Sequence, residues 1–174
     1  MIPFHSFGLV ILLGLGSAAP AVSEQLAPTL ELVSLDGRTR ALTAAELVAL
    51  APSEATATEE GGSAVYRGPG LRDLATLAGA PAGRTLRGPA MSLVLLAEGS
   101  DGYRVAIALA EVDPQFGAVS ALAALTRNGE PLAQGDGPIR LVVPGDGFHA
   151  RWVRGLVRVR IVDAAALGDT TPAR

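Results

Sequence analysis

The chain has no cysteine in its 174 residues. That excludes disulfides, a lipid-anchored lipoprotein, a thiolate nucleophile and every cysteine-ligated metal site, so burial must provide the stability. Histidine is nearly as scarce: His5 lies in a leader-like segment, and His149 is the only other one. A histidine-rich metal site is thereby excluded, leaving carboxylate-only sites that no motif advertises. Charged residues make up 18% of the chain, the net charge is −3 and the pI is near 5.4. Nucleic-acid binders are usually basic, so no nucleic-acid partner is expected. There is no Gly-x-Ser-x-Gly elbow to support a serine nucleophile beside His149. Gly135-Asp136-Gly137 and Gly145-Asp146-Gly147 lack the helix and lysine of a P-loop and read as tight turns.

What is present is ample apolar material: 49% of residues are hydrophobic, enough for the core of one ordinary domain. Residues 1–23 read as a signal peptide, with an apolar centre over Phe7–Leu15 and small residues before cleavage after Ala21 or Ser23. No Lys or Arg precedes that centre, and the alternative is an uncleaved anchor over Phe4–Val22. Cleavage implies a periplasmic or secreted product that leaves the membrane. The folded domain is expected over residues 24–168, with a frayed tail at 169–174.

Apolar alternation and an Asp36-Gly37 turn predict a strand in "TLELVSLDG". Thr43 and Glu46 form a capping-box signature before a short helix. Gly61-Gly62 marks a hairpin, and Leu71, Leu74, Leu77 and Ala78 form one helical face closed by Gly79. "MSLVLLAEGSDGYRVAIAL" predicts another hairpin. "AVSALAALTRNGEPL" fits helix by its alanines and strands by Asn128-Gly129 about equally well. In "GLVRVRIVD", Val157, Val159 and Ile161 alternate with Arg158 and Arg160, the pattern of a sheet edge facing solvent. Many short strands and a few short helices give a single α+β domain of mixed, mostly antiparallel sheets.

The order "YRGPGLRDLATLAG", "DGYRVAIALAEV", "NGEPLAQGDGPIRLVVPGD", "RWVRGLVRVRIV" resembles the molybdopterin-binding domain of the sulfite-oxidase group, over roughly Thr56 to Val162. The resemblance implies that fold and a pyranopterin whose phosphate is gripped by basic residues. The positions that match those residues are Arg140, in the Pro-x-Arg strand, and Arg151, just before Trp152. A guanidinium meets phosphate oxygens with paired donors, each bond contributing about 1.5–3 kcal/mol. The group's enzymes also ligate molybdenum through a protein cysteine and carry a histidine shortly before the strand arginine. This chain has neither; "AQGDG" stands where the histidine is expected.

The cofactor-binding candidates are therefore Arg140, Arg151, His149 and Trp152, with no catalytic or metal-ligating residue assigned. Each has a plainer alternative. Arg140 can pair with Asp136 or Asp146, Trp152 can be core, and His149 can be a surface-loop residue after Gly145-Asp146-Gly147. Tyr103 is either a pocket residue or the end of an Asp-Gly turn, and Arg154, Arg158 and Arg160 form either a solvated strand face or a basic lip. No retained cofactor is expected, with molybdopterin the alternative. Three functions compete: a non-redox binding or accessory module, a pterin-binding component of a periplasmic oxidoreductase, and a structural domain with no small-molecule site. The corresponding partners are a phosphorylated or anionic small molecule and a periplasmic protein.

Overall fold

A computed structural model describes residues 29–167, apart from 51 and 118. The expected signal peptide (1–23) and tail (169–174) lie outside the described residues. Among the described residues, no helix is long and apolar enough to cross a membrane.

Strands β1 (Thr29–Val33) and β2 (Thr39–Thr43) pair antiparallel across the Asp36-Gly37 turn. Thr43 then caps α1 (Ala44–Ala49): its hydroxyl accepts from the Glu46 amide while the Glu46 carboxylate accepts from the Thr43 amide at 2.8 Å. The long hairpin of β3 (Pro52–Glu59) and β4 (Gly62–Pro69) closes at Gly61-Gly62 and runs into α2 (Leu71–Leu77). Leu71, Leu74 and Ala75 bury one face of that helix. Strands β5 (Leu93–Gly99) and β6 (Arg104–Ala108) form the second hairpin, followed by the single turn α3 (Leu109–Val112).

The alanine-rich stretch is strand, not helix. It supplies β7 (Leu122–Ala124), β8 (Thr126–Arg127) and β9 (Glu130–Pro131). Two causes decide this. Asn128 and Gly129 adopt φ of 51° and 86°, the left-handed pair of a tight hairpin turn. The alanines are small enough for β7 to lie directly under β4, where a Cβ at Gly68 would come within 2.0 Å of the Ala123 carbonyl oxygen. Strand β10 (Arg140–Val142) pairs antiparallel with β7, and β11 (Leu156–Asp163) is the last strand among the described residues.

These strands form a five-stranded sheet in the order β2-β1-β11-β5-β6, a four-stranded sheet β3-β4-β8-β9 and the pair β10-β7. Among the described residues, only β1 and β11 run parallel. Leu30, Leu32, Leu95, Ala97, Val159 and Ile161 turn the inner face of the large sheet onto the common core. The result is the expected α+β domain.

Two expectations for β11 need correction. It is the central strand of the five, not an edge; solvent lies over one of its faces, not along its flank. Its alternation also breaks at a bulge between Leu156 and Arg158, which buries Leu156 and exposes Val157. On the open face, Glu31, Arg158, Glu98 and Arg104 lie side by side across four strands as a ladder of ion pairs.

Candidate functional site

Both candidate arginines sit where the loops around β10 leave the core. Arg140 opens β10 beside Ala124 of β7, and the next residue, Leu141, donates its amide to Val153 O at 2.9 Å. Strand β10 is thus held between β7 and the segment leading into β11, and Arg140 is buried with it. Its Nη1 pairs with Asp136 Oδ1 at 2.9 Å, and its Cζ lies 5.0 Å from the Trp152 ring centre. The Nε proton is buried and has no partner among the described residues. An unsatisfied donor on a buried cation is a costly arrangement that an arriving acceptor relieves.

Asp136 is held by backbone. Gly137 has a φ of 77°, and a Cβ there would come within 2.6 Å of Gly155 Cα, so two loops cross in contact. The Gly155 amide donates to Asp136 O at 2.8 Å across this crossing. Asp136 Oδ1 also faces Arg154 Nε at 3.5 Å, so one carboxylate serves two guanidinium groups. Arg154 lies at the cleft rim, the basic-lip alternative of the two open for it.

Trp152 is core, as its size predicts, and its indole N–H donates to Val143 O at 2.9 Å. It also forms part of the site wall. His149 stacks on it at 3.9 Å and 20°, and Tyr66 meets it edge-on at 5.6 Å. The His149 Nε2 lies 2.9 Å from Thr58 O; a carbonyl only accepts, so the proton is on Nε2. His149 thereby joins the loop to the rim of the β3–β4 hairpin. Behind it, the Tyr66 hydroxyl donates to Glu59, which also receives Arg127 Nη2 at 2.5 Å. Burial raises the Tyr66 phenol above its usual value, and the bond to Glu59 adds to the shift.

Arg140, His149, Trp152, Arg154, Tyr103 and Asp101 line a cleft of about 240 Å³. Tyr103 donates its hydroxyl to Ala150 O at 2.6 Å, so its ring spans the rim as well as ending the turn. Arg151 does not line this cleft. Its Nε and Nη2 form a two-pronged contact with Asp146 at 2.9 and 2.5 Å, and Nη1 reaches Glu111 at 3.0 Å. The Asp146 bonds, aided by Glu111, push the Arg151 guanidinium further above its already high value. The structure brings Arg140, His149 and Trp152 to one cleft and separates Arg151 from them. Glu111 was missed because it lies 40 residues from Arg151; its i,i+40 relation carries no local signal.

The donor set does not fit a molybdenum held through a protein thiolate, because the chain has no cysteine. Among the described residues no three His, Asp or Glu side chains gather to hold a metal ion. The cleft is smaller than the roughly 300–1,000 Å³ usual for a drug-sized ligand. Arg140 lines this cleft, and its unpartnered Nε is buried.

The family model of the oxidoreductase molybdopterin-binding domain matches residues 37–169. No curated protein matches the chain. In fold it is similar to the sulfane dehydrogenase SoxCD from Paracoccus pantotrophus, with a TM-score of 0.59 and 24% identity. The match covers 78% of this chain and 38% of that one, so this chain spans well under half of its structural relative. A β-rich α+β core, a Pro-x-Arg strand whose arginine sits at the cleft, and a match over most of the sequence lead to one conclusion: the chain belongs to the oxidoreductase molybdopterin-binding domain family.

Proposed function

We propose that this chain is a non-redox member of its family, an exported accessory module that takes a small anion at the Arg140 cleft and carries no molybdenum. The missing sulfur donor carries this reading: a scaffold of this kind without cysteine lacks the protein ligand that its enzymes use. Two further observations support it. Arg151, matched to the second phosphate-gripping position, is committed to Asp146 and Glu111. Arg140 keeps one buried donor free for an acceptor, such as a phosphate or carboxylate oxygen. The leader-like first 23 residues support export, with a periplasmic protein as the partner such a module would serve.

A second reading, a cofactor-holding component of an oxidoreductase, is favoured by the family itself. Metal analysis and absorption spectroscopy of protein purified from its native host separate the two. The expected result is no stoichiometric molybdenum and no dithiolene-type absorption; finding both overturns the proposal. If Arg140→Ala leaves phosphate binding unchanged in the folded protein, the anion site is refuted.

A further inference from the structure

We propose that the open face of the five-stranded sheet is a self-complementary interface that takes a second copy of this chain. Strand register fixes what stands on that face. One row reads Glu31, Arg158, Glu98, Arg104 across β1, β11, β5 and β6. The next row reads Val33, Arg160, Leu96, Ala106, and a third aligns Val162, Val94 and Ala108. A sheet face left to water is ordinarily polar. Here, apart from Glu98 and Arg104, the outward positions of β5 and β6 are Val94, Leu96, Ala106 and Ala108, and none of the four is buried.

The charged row selects the partner. Arg104 Nε holds one oxygen of Glu98 at 2.9 Å and Arg158 Nη1 holds the other at 3.4 Å, while Arg158 Nε bonds Glu31. The signs therefore alternate negative, positive, negative, positive across four strands. A two-fold axis between two such faces, parallel to the strands, reverses this order in the facing copy. Glu31 then meets the second copy's Arg104, and Arg158 meets its Glu98, so every position faces its opposite charge. The same operation lays Val162 against the copy's Val94. Arg160 has no ion-pair partner among the described residues, and it comes opposite the copy's Leu96, one row from that copy's Glu98. Packed sheets lie about 10 Å apart and cross at about 30°, which displaces the outermost pairs by roughly the reach of an arginine side chain.

The contact is small. Strands about 4.8 Å apart, rising about 3.3 Å per residue, make this a face of roughly 24 by 17 Å. Two copies bury roughly 800 Å² in total, below the about 1,200 Å² at which stable complexes begin. Three arginines against two glutamates also leave a surplus cation on each face. The dimer is therefore weak and forms only at high concentration.

The test does not depend on the Arg140 cleft or on metal content. Sedimentation equilibrium of the purified chain at up to about 1 mM should show a monomer–dimer equilibrium. Arg104→Glu alone and Glu31→Arg alone each set like charges opposite one another, and each should weaken association at least about tenfold. Mixed together, the two variants are complementary at every position, and the mixture should regain the dimer. The proposal is overturned if wild type stays monomeric, if either folded variant dimerises as well as wild type, or if the mixture of folded variants does not pair. Should a charge variant not fold, Ala106→Glu, at an exposed outward position, decides. A monomer there supports the interface, and a dimer as tight as wild type overturns it. A chain that dimerises only after residues 168–174 are removed also overturns it, because the tail is then the occupant of this face.

Discussion

Replacing Asp136 by Asn and Arg140 by Met removes the same ion pair from opposite sides, and the structure predicts unequal costs. Asp136→Asn leaves the Arg140 guanidinium buried with no carboxylate, since Asp136 is its only ion-pair partner among the described residues. Breaking a buried pair in this way costs about 3–5 kcal/mol. Arg140→Met leaves Asp136 beside Arg154 Nε at 3.5 Å, so the carboxylate keeps a counter-ion. It also removes the unpartnered Nε, a penalty of about 1–3 kcal/mol for a buried donor. The thioether can pack on Trp152 in place of the cation, contributing about 0.3–1.5 kcal/mol. Both changes offset the loss of the ion pair, so Arg140→Met should cost less than Asp136→Asn. Urea unfolding followed by circular dichroism measures both. Phosphate at a hundred times its dissociation constant should add about 2.7 kcal/mol to wild type and nothing to Arg140→Met. It should also restore part of the stability lost in Asp136→Asn, because the anion replaces the deleted charge. Equal losses in the two variants, or equal phosphate stabilisation of wild type and Arg140→Met, would refute the assignment of Arg140 as an anion receptor.

The loop crossing behind Asp136 makes Gly137→Ala destabilising by at least about 1 kcal/mol, measured by thermal unfolding, since the position has positive φ and no room for a Cβ. Phosphate should stabilise that variant less than wild type, because the displaced carboxylate no longer positions Arg140. The Tyr66 phenol is raised above its ordinary value of about 10, chiefly by burial and then by its bond to Glu59. A raised folded value means that this contribution to stability is fully present below about pH 10 and is lost as pH climbs through the folded value. Alkaline unfolding monitored with tyrosinate absorbance should show it, and Tyr66→Phe should flatten stability over that window. An unchanged profile in Tyr66→Phe would refute the assignment.

Elements with local punctuation were legible in the sequence. The Thr43–Glu46 capping box, the Gly61-Gly62 turn and the Gly79 stop each act within a few residues, and each stands where expected. The stretch around Ala121–Ala124 was not, because its identity depends on the close backbone of β4, a contact between segments more than fifty residues apart. The bulge at Val157 was hidden for a similar reason, since alternation counts residues but not a shift in pairing register. At the site, residue type and order were enough to place Arg140, His149 and Trp152 together. They were not enough to separate Arg151, whose fate is set by Asp146 in its own loop and by Glu111 from α3.

The position of Trp152, the chain's sole tryptophan, has a practical consequence. Its indole lies against the Arg140 cation and the His149 ring, two of the residues that line the cleft with it. Intrinsic emission of the unmodified protein is therefore an uncontaminated optical gauge of occupancy. Candidate compounds can be ranked by quenching or spectral displacement alone, without a label or a known catalytic turnover.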